Sequence, residues 1–106
     1  MPNNFINVIE PLVVNDTNVY IASGSLKSVI VFNTYLSNVS QNPTTFTLKI
    51  WDSSTASTKT LGLNLPLPVN SVLDFGKIVM KPTDKLIASA GTSSAVNFTG
   101  NILEIS

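Results

Sequence analysis

Thr45-Phe46-Thr47-Leu48-Lys49-Ile50-Trp51-Asp52 alternates apolar and polar residues through its length. A β-strand turns successive side chains to opposite faces. Phe46, Leu48 and Ile50 therefore share one face, while Thr45, Thr47, Lys49 and Trp51 share the other. Such a strand is written for a sheet with one face on a core. Lys59–Leu67 repeats the pattern, with Leu61, Leu63 and Leu65 expected inward and Thr60, Gly62 and Asn64 outward.

Working outward, short apolar runs and turn signals follow one another along the chain. Asn15-Asp16-Thr17-Asn18, Ser23-Gly24-Ser25, Asn42-Pro43 and Pro82-Thr83-Asp84 all punctuate it. Strands are expected at Asn4–Ile9, Val19–Ala22, Leu26–Leu36, Thr45–Asp52, Lys59–Leu67, Val72–Phe75, Lys77–Met80, Lys85–Ala90 and Ala95–Ile105. No segment keeps a 3.6-residue apolar period between helix caps. Eight or nine short strands near ten-residue intervals predict an all-β fold, a sandwich or barrel with little or no helix. The 106 residues fit a single domain, residues 1–106, with residues 1–14 as an extended N-terminal arm broken by Pro11. Area scaling gives such a domain roughly 5,700 Å² of folded surface, enough burial for one core without staples.

Two strands depart from simple alternation. In Leu26–Leu36, Ile30 and Phe32 occupy one face, and Val29, Val31 and Tyr35 the other. A strand apolar on both faces needs cover on both. The second cover is expected from a loop, the arm or another subunit, which marks Val29, Val31 and Tyr35 as interface candidates. Trp51 joins them, because it points away from the core and Trp is enriched at binding hot spots. Its cover is a loop such as Ser53–Thr58, a protein partner or a sugar ring. In the last strand, Val96, Phe98 and Ile102 share one parity and Leu103 and Ile105 the other. A bulge at Gly100 is expected to return the last two to the core.

Composition limits the chemistry. There is no Cys and no His, and all six basic residues are Lys. Disulfides, thiolate metal sites and a Ser-His-Asp triad are thereby excluded. The acids Asp16, Asp52 and Asp84 fall at turns, where Asp serves the backbone. The expectation is a protein that is not an enzyme, with no cofactor and no metal. Scattered lysines at a net charge of zero give no footprint for nucleic acid. No run of about 18 apolar residues marks a membrane helix. Met1-Pro2-Asn3-Asn4 lacks the basic start of a signal peptide. Sequons at Asn15, Asn38 and Asn97 read as chance in a chain rich in Asn, Ser and Thr. Charged residues make up only 11%, against about 25% in ordinary domains. Low charge is what interface cores favour.

Three segments resemble small structural proteins of tailed-bacteriophage virions. They are Lys27-Ser28-Val29-Ile30-Val31-Phe32-Asn33, Leu67-Pro68-Val69-Asn70-Ser71-Val72-Leu73, and Asp84-Lys85-Leu86-Ile87-Ala88-Ser89-Ala90-Gly91 followed by Ala95-Val96-Asn97-Phe98. Asn70 stands where that group has Gly, a tolerable exchange because Asn accepts positive φ. The resemblance implies a single antiparallel, jelly-roll-like β-sandwich, a subunit of a head decoration, neck or tail assembly located in the virion. It implies other virion proteins and copies of itself as partners, in a homo-oligomer. It carries over no catalytic residue. The alternative is a carbohydrate- or receptor-binding module that uses Trp51, Tyr35 and Tyr20 against a glycan.

Overall fold

The computed structural model describes residues 3–106. The alternating segments become nine strands: β1 Asn4–Pro11, β2 Thr17–Ile21, β3 Ser28–Asn38, β4 Thr44–Asp52, β5 Ser57–Leu67, β6 Val72–Asp74, β7 Ile78–Met80, β8 Lys85–Ala90 and β9 Val96–Ile105. There is no helix among the described residues. One sheet, here sheet A, runs β1-β9-β3-β6, with β7 also paired to β3. Sheet B runs β2-β8-β4-β5. All pairings are antiparallel.

The chain passes between the sheets at most connections, which gives the jelly-roll order that the resemblance implies. β6 and β7 lie end to end along β3 and fill one strand position. Gly76, at φ 101°, separates them where the backbone enters a region that favours glycine.

One core lies between the sheets. Phe46, Leu48 and Leu86 from sheet B meet Val29, Val31, Leu36, Met80, Phe98 and Ile102 from sheet A. The accessible surface is 5638 Å², close to the value that scaling gives a folded monomer of this mass. The core is therefore complete within one chain.

The described part of the expected arm is part of the sandwich and covers nothing from outside. Residues 4–11 form edge strand β1, paired residue for residue with β9. Residues 1 and 2 of that arm lie outside the described residues. After Pro11 the chain crosses between the sheets, and Leu12 plugs the core at the crossing. Its N–H donates to Val96 O at 2.8 Å, and its carbonyl accepts from Ser94 N at 2.9 Å.

Three expectations about strand faces are corrected. Val29 and Val31 are fully buried, so they are core residues and not outer-face positions. Phe32 is an extra residue in β3: Val31 pairs with Ile102, but Asn33 already pairs with Asn101. This bulge reverses the parity, so Thr34, Leu36 and Asn38 point inward after it. The expected bulge at Gly100 is absent. β9 alternates regularly through Gly100, whose inward position is filled by the ring of Phe98. Leu103 and Ile105 therefore stay on the outer parity.

In β5, Gly62 is buried opposite Leu48, while Leu61 and Leu63 are exposed. Two irregularities in the β4–β5 register cause this. One lies near Asn64, at φ 47°, whose N–H donates to Thr47 Oγ1 at 3.0 Å. A Cβ on Gly62 would stand 2.6 Å from Leu65 Cδ1, so Leu65 takes the space a side chain would need.

Candidate interaction surface

The outer face of sheet B is where Trp51 was expected, and it lies there. Phe46, Leu48 and Ile50 pack inward, and Trp51 takes the opposite parity beside Lys49. Its antiparallel partner on β8 is Lys85, whose Nζ stands 5.1 Å from the ring centroid. The half-buried indole is thus covered in part by an ammonium on its own sheet. This face is charged. Lys49 Nζ pairs with Asp16 at 2.9 Å. At one end of the sandwich, Asp52 accepts from Lys81 Nζ at 2.8 Å and Lys59 Nζ at 3.2 Å. The Lys81 ammonium, followed by the Ser54 hydroxyl, holds the Asp52 carboxyl well below the usual carboxylate range.

Three further polar clusters tie the structure together. Asp84 is buried between the β4–β5 loop and the turn before β8. It accepts from Ser53 N at 2.9 Å, Ser53 Oγ at 2.8 Å and Lys81 N at 2.9 Å. Burial alone raises its pKa, but these donors outweigh it and leave the carboxyl below its ordinary value. Tyr20 donates its hydroxyl to Glu104 Oε2, which ties sheet B to sheet A. Burial, reinforced by the Glu104 carboxylate, pushes the phenol well above its ordinary range. Asn38 is buried with its amide used by Leu67 O, Asn42 O and Ser40 N.

Among the described residues, no three His, Cys, Asp or Glu side chains gather into a metal-binding group. No pocket is formed either. Trp51, Tyr35 and Tyr20 do not form a common platform. Trp51 lies outside sheet B, half-buried Tyr35 lies outside sheet A, and Tyr20 is in the core.

Sheet A has a different outer face. The registers across β1, β9 and β3 sort its side chains into bands. The first is apolar and crosses the whole sheet: Phe5 pairs with Leu103, Leu103 with Ile30, and Ile30 with Val79. Phe5 is 71% exposed and Val79 62%. Phe32, pushed outward by the bulge, meets Phe5 edge to face, with ring centroids 6.2 Å apart. The second band is a row of asparagines. Asn33 Nδ2 donates to Asn101 Oδ1 at 3.3 Å, and Asn101 Nδ2 donates to Asn7 Oδ1. The third runs Ile9, Thr99, Tyr35 and Asp74.

No outward position on β1, β9 or β3 carries a charge; Asp74 stands at the margin on β6. Of the interface candidates read from the sequence, Tyr35 falls on this face; the apolar band was missed because Ile30, Phe32, Leu103 and Ile105 were assigned to the core. The usable signal was the two-sided apolarity of the first strand, Phe5 to Ile9.

No family model matches the sequence, and no curated protein does. Among solved structures, the fold is similar to that of a Bacillus endospore appendage, described as belonging to a novel family of disulfide-linked pili. The TM-score is 0.58 at 13% identity, covering 99% of this chain and 88% of that one. At that identity the likeness is one of fold, a β-sandwich.

Proposed function

We propose that this chain is a non-enzymatic structural protein, one subunit among many copies in a larger assembly. The observation that carries the reading is the outer face of sheet A, which is free of charge on β1, β9 and β3 and has Phe5, Ile9 and Val79 largely in water. Moving one such side chain out of water is worth about 1.5–3 kcal/mol. A face built this way gains stability when another protein surface covers it. The long edges β1 and β5 each have only one neighbour and offer backbone groups for strand pairing as a second mode of contact.

Two likenesses support the reading at this level. Segments of the sequence resemble phage virion modules, and the fold is similar to that of a pilus protein. Both kinds of protein are repeated subunits. The virion is the more specific form of the proposal, with head, neck or tail proteins as the other partners. Sedimentation of the purified chain from micromolar to millimolar concentration, with electron microscopy of the same samples, tests the general reading. Concentration-dependent multimers are expected, and a monomer throughout would remove it. Mass spectrometry of purified phage particles tests the virion form, which needs the chain at stoichiometric amounts.

A further inference from the structure

We infer that the outer face of sheet A is the contact between two copies of this chain, packed sheet on sheet about a two-fold axis parallel to the strands. The inference rests on the structural-subunit reading and deepens it by naming the face, the occupant and the register.

Three properties of the face point to a second copy. First, the three long strands turn no charge outward. A partner recognised by charge would need a complement on these strands, whereas a second identical face needs none; the carboxylate of Asp74 stands at the rim, on β6. Second, the central band is Asn7, Asn101 and Asn33. An amide both donates and accepts, so this band complements its own copy. Third, the apolar band is large at one end and small at the other. Phe5 stands on the β1 side and Val79 on the β7 side, and Phe32 reaches from β3 to meet the Phe5 ring. A two-fold axis along the strands, between β9 and β3, reverses that row. Phe5 of one copy then lies over Val79 of the other, bulk against hollow, as an isologous contact requires.

The area suffices. Four strand positions about 4.8 Å apart and strands roughly 30 Å long give about 550 Å² per copy. Two copies bury on the order of 1,100 Å², just above the ~1,000 Å² that a specific interface needs.

The chain has no cysteine, so engineered thiols report without background. Within one copy, β1 and β7 are separated by β9 and β3. That is about 14 Å, beyond the ~7 Å reach of a disulfide. A Phe5→Cys chain is mixed with a Val79→Cys chain under mild oxidation. Mixed dimers are expected at least about tenfold faster than with Thr60→Cys on the outer face of sheet B as partner, because association raises the local thiol concentration. Phe5→Cys alone should cross-link no faster than that control.

In parallel, Phe5→Lys and Val79→Lys change exposed residues and should keep the strand signature by circular dichroism. Each should weaken self-association about tenfold or more in sedimentation. Mixed cross-linking at the control rate, fast Phe5-to-Phe5 cross-linking, or lysine variants that associate like the wild type would each overturn the inference. If the wild type still forms multimers in those cases, the subunit reading stands without this face. A wild type that stays monomeric removes the reading itself.

Discussion

Asp84 holds two loops with one carboxylate. Its turn position is legible in the sequence, since Pro82-Thr83-Asp84 is a breaker. Its main partner is not, because Ser53 lies 31 residues away and the fold alone brings the two together. Replacing Asp84 with Ala strands two backbone donors, the N–H groups of Ser53 and Lys81. The expected cost is about 2–4 kcal/mol at pH 7. The folded pKa is lowered, so the carboxylate contributes its full stability above the unfolded value of about 3.9. That contribution is lost as pH falls through the folded value. Urea unfolding from pH 7 down to pH 2 should therefore show wild type and Asp84→Ala converging at the acid end. A constant gap would mean that ionisation contributes nothing.

At the scale of the strand, what the sequence carries well is existence and alternation. What it carries poorly is phase. β4 keeps a single parity, so Phe46, Leu48 and Trp51 fall where alternation puts them. β3 does not, because one extra residue at Phe32 changes which side chains face inward. Nothing in Val29-Ile30-Val31-Phe32 marks which member is the extra one, since all four are apolar and either parity makes a plausible core. The pairing with β9 decides, and that is a tertiary fact. β5 hides its phase in the same way, around Gly62 and Asn64.

The corrected phase has a direct test. Val31→Ala should cost about 2 kcal/mol, because it opens a cavity in a packed core. Phe32→Ala removes a larger side chain yet should cost under about 1 kcal/mol, since Phe32 faces out. In thermal melts the first should fall by roughly 8–16 °C and the second by only a few degrees. The reverse order would restore the parity read from the sequence.

For the whole molecule, the all-β class follows from patterning spread along the full chain, while the jelly-roll order is set by the strand pairings. The candidate surface does not, because its apolar band takes one residue from each of four strands. Only the registers assemble Phe5, Leu103, Ile30 and Val79 into a row. The two outer faces also differ in kind. The outer side of sheet B carries Lys49, Asp16 and Lys85, and that of sheet A carries amides and hydrocarbon with Asp74 at its margin. Association through sheet A should thus be nearly indifferent to sodium chloride, which acts by screening charge. Ammonium sulfate should strengthen it, since excluded salts favour apolar burial. Sedimentation across both salt series separates these responses. A steep loss of association in sodium chloride would point to the charged face instead.

The opposition of those two faces has a consequence for how growth would proceed. Two chains joined through sheet A form a slab four sheets deep, polar outside and oily within, ordered like the leaflets of a lipid bilayer. Such a slab turns lysines and carboxylates to the water on both sides, with Leu61, Leu63 and Ile21 of sheet B exposed among them. Its rims still offer backbone groups, where β1 ends sheet A and β2 and β5 end sheet B. Further copies would then add sideways, and the product would be a ribbon or a layer.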